Sequence, residues 1–162
     1  MQPMLIFELL VLVAVANATP PVVKRVLGEA FAQPLDGGAL FIDGRPLFGS
    51  SKTIRGIALS LVATPLAALV LGMGWKIGIV VAIAAMAGDL VSSFTKRRLG
   101  FPSSSRAIGL DHMPEALFPF IASRMLLPVT VIDMVVGTAI FFLGSLVVAR
   151  ALYKLHLRDE PY

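Results

Sequence analysis

The chain is 162 residues long, 57% hydrophobic and only 15% charged, against about 25% charged in an ordinary soluble domain. So apolar a composition excludes a soluble globular domain, which would hold too little polar surface to stay dispersed, and it excludes a disordered chain. With no cysteine and two histidines, disulfides, thiolate nucleophiles and Cys- or multi-His-ligated metals are also out.

Five apolar stretches predict an all-α integral membrane protein with five transmembrane helices in one membrane domain, because a bilayer core takes roughly 17–25 helical residues. The first covers about 4–18 and contains Glu8. No Lys or Arg precedes it, so it reads as a retained helix rather than a cleaved leader. The second covers about 57–73 with Pro65 inside, the third about 77–94, the fourth about 114–127 with Arg124 inside, and the fifth about 131–151. Glu8, Arg124 and Asp133 are candidates for intramembrane pairing, with a short fourth helix letting Arg124 snorkel to the outer surface. Gly74 and Gly78 have GxxxG spacing, a weak dimerisation signal.

The formal charge is +4, and its placement orients the chain. All 14 basic residues except Lys76 and Arg124 fall between stretches one and two, between three and four, or at the C-terminal end. Such loop charges suit phosphates at a membrane surface better than nucleic acid. An odd number of spans puts these three segments on one side. The positive-inside rule makes that side cytoplasmic, with the N-terminus outside and the C-terminus cytoplasmic. The two long cytoplasmic loops are then about 19–55 and 95–113. The first is rich in Gly and Pro, which predicts turns at Asp36-Gly37-Gly38 and Asp43-Gly44-Arg45 and a short amphipathic helix over 22–31. Loops this long in a small protein point to function.

The sharpest local feature is Gly88-Asp89-Leu90-Val91-Ser92-Ser93-Phe94-Thr95-Lys96-Arg97-Arg98. On a helix Asp89, Ser92, Ser93 and Lys96 share one face. Asp89 lies about 10 Å below Lys96 along the axis, where a carboxylate is costly without a partner and marks a functional candidate. Gly88 beside it lets a backbone or ligand approach. The alternative is a structural Asp–Lys or Asp–Arg pair at Asp89 that holds helices together. A second acidic group, Asp111-His112-Met113-Pro114-Glu115, opens helix four with Pro114 in its first turn. Asp111 either caps that helix or joins Asp89 as a metal carboxylate, since two acids that meet repel without a cation between them. An oxygen-only donor set suits a magnesium-like ion. A third feature, Phe48-Gly49-Ser50-Ser51-Lys52-Thr53-Ile54-Arg55-Gly56, lacks P-loop spacing and a preceding strand. Backbone amides at a helix start, with Lys52 and Arg55 beside them, still suit an anion.

Taken together, Gly88-Asp89-Leu90, Ser93, Lys96 and Arg97, followed by Asp111 and Pro114, resemble the CDP-archaeol synthase family and, more distantly, the C-terminal part of bacterial CDP-diacylglycerol synthases. Phe48-Gly49, Lys52-Thr53 and Arg55-Gly56 are similar to a second motif of that group. Asn17 with Pro20 and Pro21, closing helix one, matches a weaker third element. The resemblance covers nearly the whole chain. It implies transfer of a cytidylyl group from CTP to a lipid phosphate in the bilayer, with release of pyrophosphate and with Mg2+. It implies Asp89 and Asp111 as metal carboxylates, with Lys96 beside them in catalysis. Lys52, Thr53, Arg55, Ser93, Arg97, Arg98 and Asn17 would contact substrate. The family usually reads Asp-Gln where this chain has Asp111-His112, a change that leaves the metal role of Asp111 possible. His112 by itself suits capping or packing. A CDP-alcohol phosphotransferase is disfavoured because Asp36-Gly37 has no train of spaced aspartates after it. The rival from another class is a non-catalytic membrane protein or small transporter using Asp89 and Lys96 as a static pair or ion path.

Overall fold

The computed structural model describes residues 1–103, 105, 107 and 109–154, the last four through their backbone alone. Two of the 14 basic residues, Arg106 and Arg158, and one of the two histidines, His156, lie outside the described residues. The described residues form five helices: α1 (Pro3–Leu27), α2 (Ile54–Val70), α3 (Trp75–Arg98), α4 (His112–Ser123) and α5 (Val131–Lys154). Isolated bridges Pro34–Thr53 and Leu40–Pro46 pin the first loop. The all-helical expectation is met. Three helices, α1, α3 and α5, are long and apolar enough to cross a membrane. Helix α2 has 17 residues and α4 only 12, so α4 is about 18 Å long against a core of about 30 Å.

Two boundaries differ from the sequence reading for physical reasons. Helix α1 does not close at Pro20 and Pro21; it runs through both to Leu27, so residues 22–27 are its last turns rather than a separate amphipathic helix. Proline breaks helices partly by removing the amide that residue i−4 needs. Pro20 thus leaves the Ala16 carbonyl without its helical donor, and Ser60 Oγ of α2 donates to that carbonyl instead at 3.0 Å. Helix α4 starts and ends earlier than 114–127: it is already in place at His112 and stops at Ser123, with turns through Arg124–Leu127.

Helix α1 buries Ile6, Leu9, Leu12, Val13 and Ala16, the three-to-four spacing of one helical face. From Ile6 to Val13 that face joins Ala68 of α2, Val81 of α3, Ala116 and Phe120 of α4, and Met134 of α5 in one core, while Ala16 packs with Ala85 and Met86 of α3. Helix α3 is the central element. Its buried residues include Gly78, Ala82, Ala84, Ala85, Gly88, Ser92 and Ser93, and small side chains let neighbouring backbones come close. A Cβ on Gly78 would lie 2.8 Å from the Pro65 nitrogen and 2.9 Å from Ala68 Cβ, so this glycine serves packing of α2 on α3 within the chain. Large apolar side chains such as Val62, Leu66, Ile83, Val135, Leu143 and Val147 face outward, as lipid contact requires.

The helices alternate in direction. At one end the Gln2 amide of α1 donates to Asp133 Oδ1 at 2.8 Å. Thr130 and Asp133 form a reciprocal capping box: the Thr130 amide donates to Asp133 Oδ2 at 3.0 Å and the Asp133 amide to Thr130 Oγ1 at 3.2 Å. Asp133 is satisfied by these bonds rather than by an intramembrane pair with Arg124, which is exposed at the end of α4. The opposite end gathers the C-terminal turns of α1 and α3, the starts of α2 and α4, and both long loops.

Candidate active site

The first loop is folded around Asp36 and Arg98. Asp36 accepts amide hydrogens from Gly38 at 3.0 Å, Phe48 at 2.9 Å and Gly49 at 3.1 Å, so the expected turn at Asp36 also ties down the segment before Lys52. Arg98 lies over the rings of Phe41 and Phe94, with its guanidinium carbon 4.7 and 5.0 Å from their centres. It pairs with Asp43 at 2.5 Å and donates to the Pro46 carbonyl at 2.5 Å. Arg98 therefore holds the loop onto α3. Backbone bonds between Leu35 and Lys52 and between Gln33 and Ile54 then fix the entry to α2.

That entry delivers Lys52 to Asp89. Its Nζ lies 2.5 and 2.6 Å from the two carboxylate oxygens. The pair faces a chamber of about 500 Å³ whose walls include Asn17 and Lys24 of α1, Ser50, Lys52, Thr53, Arg55, Asp89 and Glu115. This volume falls within the roughly 300–1,000 Å³ of small-molecule sites. Asn17 presents a buried Nδ2 with no partner among the described residues. Thr53 caps α2, its Oγ1 accepting from the Gly56 amide at 3.3 Å. Arg55 donates to the carbonyls of Ala30 and Gly28, which anchors the end of α1 to the start of α2.

The other residues expected at the site sit behind this chamber. Lys96 Nζ lies 2.6 Å from Asp111 Oδ1 and donates to the Ser105 carbonyl at 2.9 Å. Ser92 Oγ donates to Asp111 Oδ1 at 2.8 Å and the Ala107 amide to Oδ2 at 2.8 Å. Burial works against ionisation of Asp111, but the Ala107 amide, Lys96 and Ser92 outweigh it and hold the carboxyl below its usual range. Asp111 is the N-cap residue by position, yet its side chain makes no capping bond. Asp89 and Lys96 pair with other residues, Lys52 and Asp111, so the Asp–Lys pair expected as the structural alternative is made at Asp89 by Lys52. Ser93 is buried in α3 away from the chamber. Arg97 is buried beneath Gly49, with Nε and Nη1 unpartnered among the described residues. His112 packs its ring near Phe141 and Phe142.

Sequence reasoning missed Glu115. This side chain of α4 lines the chamber and is in hydrogen-bonding contact with Asp89. Gly88 makes the meeting possible: a Cβ there would lie 2.6 Å from the Pro114 carbonyl carbon and 2.9 Å from the Glu115 nitrogen. The close approach expected at Gly88 is thus made by the start of α4. Pro114-Glu115 one turn after Asp111 was the available signal.

Several helices long and apolar enough to cross a membrane, around a chamber with an acid held by a lysine at its wall, define a multi-pass membrane protein. A family model described as CarS-like CDP-archaeol synthase matches residues 4–162, and the chain belongs to the CDP-archaeol synthase family. A CDP-archaeol synthase of Saccharolobus islandicus is 36% identical over 104 residues, which cover 61% of this chain and 59% of that protein. The chain thus spans less than two thirds of the length of that relative. A CDP-archaeol synthase of Sulfurisphaera tokodaii is 30% identical over 156 residues, covering 91% of this chain and 89% of that protein. A solved structure, reported as structural insight into an intramembrane enzyme for archaeal membrane lipids biosynthesis, superposes with a TM-score of 0.71 at 32% identity. It covers 87% of this chain and 90% of its own.

Proposed function

We propose that the protein is a CTP-dependent cytidylyltransferase acting on a lipid phosphate of the archaeol type. The observation that carries this reading is the Lys52–Asp89 pair at the wall of a chamber in a membrane bundle, in a chain of this family. An oxygen of the lipid phosphate attacks the α-phosphorus of CTP in line. A P–O bond forms, the bond to the β-phosphate breaks, and pyrophosphate leaves. The attacking oxygen is already anionic near neutral pH, so neither a general base nor a protein nucleophile is required. Positioning and charge compensation are what the chain must supply.

The donors at the chamber fit a hard divalent cation such as Mg2+. They are carboxylate and hydroxyl oxygens, and the Asp89 carboxylate already takes a positive group at both of its oxygens. Asp89 would hold the cation, which neutralises phosphate charge and polarises the α-phosphate when bound. Lys52 then serves the triphosphate, and Asn17 Nδ2 offers a donor to the nucleotide. Thr53 and Arg55 shape the anion-receiving start of α2. Asp111, with Lys96 and Ser92, sets the wall behind Asp89, and Arg97 adds positive charge beneath it.

The five helices cross the cell membrane with the N-terminus outside, α4 completing its passage through residues 124–130. The chamber and both loops then face the cytoplasm, where CTP is found. Purified protein with labelled CTP and a panel of lipid phosphates tests the assignment. Asp89→Asn should leave a monodisperse protein and lower turnover by at least about 10³-fold, in line with the loss of a key electrostatic group. Wild-type activity in that variant, or label in none of the lipids, would refute the reading.

A further inference from the structure

A divalent cation on Asp89 alone would have one protein ligand, and sequence logic nominates Asp111 as the second. The geometry does not favour that choice. Both Asp111 oxygens are engaged, by Lys96 and Ser92 on one and by the Ala107 amide on the other, and none of these residues lines the chamber, whereas Asp89 and its partner Lys52 both do. Releasing them would strand Lys96, which is itself buried, and breaking a buried pair is costly.

Glu115 has the opposite character. It opens onto the chamber beside Asp89 and Lys52 and is hydrogen-bonded to Asp89. Its place is set by main-chain packing, because Gly88 lets the backbone at Pro114 and Glu115 rest on α3 one residue from Asp89. Two carboxyls in contact repel unless a proton or a cation lies between them. Lys52 already supplies one positive charge there, bridging both Asp89 oxygens at 2.5 and 2.6 Å. The site is therefore built for positive charge.

We propose that Glu115 is the second protein ligand, with Asp89, of the divalent cation, and that the ion takes the place Lys52 holds, freeing its ammonium for the nucleotide phosphates. The proposal rests on the cytidylyltransferase reading and names the cation site within it. Among the described residues no set of three Asp, Glu or His has metal-holding geometry. Two carboxylates completed by substrate phosphates and water are the usual surroundings of Mg2+. Asp111 then acts as a positioning residue, through Lys96 and Ser92.

The experiment is Mn2+ binding to the purified protein in detergent, read from loss of the free-ion electron paramagnetic resonance signal, with no nucleotide or lipid present. Outer partners alone are worth roughly 10–100-fold in metal affinity, so Glu115→Gln and Asp89→Asn should each weaken binding at least about tenfold. Asp111→Asn should change it by less. Glu115→Ala repeats the test should the Gln variant not be monodisperse. Wild-type affinity in a folded Glu115 variant overturns the proposal, as does loss confined to Asp89→Asn and Asp111→Asn. The parent reading fails separately: Mn2+ binding that depends on Glu115, in a wild-type protein that labels no lipid, would leave the cation site standing and remove the transferase.

Discussion

Replacing Gly88 by alanine puts the contact between α3 and α4 under direct test. The added Cβ would lie 2.6 Å from the Pro114 carbonyl carbon and 2.9 Å from the Glu115 nitrogen. Ordinary carbon contacts are about 3.5–4.0 Å, so the start of α4 must retreat by about 1 Å. The obstacles are backbone atoms, and no rotamer change can relieve them. Overpacking of this kind costs roughly 1–3 kcal/mol, which a detergent-solubilised protein shows as a lowered unfolding midpoint. The larger effect is expected on turnover. The retreat carries Glu115 away from Asp89, and a misplacement of about 1 Å can cost about 10²-fold. Measured with labelled CTP and the preferred lipid phosphate, Gly88→Ala should fall by about that factor while remaining folded at the assay temperature. Activity within twofold of wild type would mean that this helix contact does not set the geometry of the site.

Two further changes probe other parts of the scaffold. Ser60→Ala removes the donor that Pro20 makes necessary. It should lose roughly 1–3 kcal/mol by stranding the Ala16 carbonyl, and Pro20→Ala in the same chain should recover much of it by restoring the helical amide. No recovery in the thermal midpoint would disprove the compensation. Asp111→Asn should cost roughly 3 kcal/mol at neutral pH by breaking the pair with Lys96. The folded-state pKa of Asp111 is depressed. Its stabilisation is therefore present above the unfolded value of about 3.9 and is lost as pH falls through the lower folded value. The gap between wild type and variant should close in that acid window, and a gap that widens there would contradict the assignment.

The sequence carried much of this arrangement, and the exceptions share a cause. Apolar runs marked the helices because burial and lipid contact both select apolar side chains. Gly88 marked a close approach, which the start of α4 makes. The path of α1 through Pro20 and Pro21 was hidden because the compensating hydroxyl, Ser60, lies on another helix. Which lysine pairs with Asp89 could not be read for a similar reason. Lys96 shares its helical face, but a shared face seven residues apart is a direction and not a contact, and the actual partner arrives from a loop 37 positions away. Glu115 carried no motif of its own, since its significance depends on a glycine on α3 that lets α4 close in. Arg98 stood in a basic run that suggested phosphate binding, and only the folded loop reveals how many of its donors are already spent.

The final turn of α3 works as a common latch. Lys96 secures the second loop through Asp111 and the Ser105 carbonyl, while Arg98 secures the first through Asp43, Pro46 and two phenylalanine rings. Fraying of that one turn would release both loop segments in a single event. The two segments are thus expected to open and reclose as one cooperative unit, although they are separated in sequence by two helices.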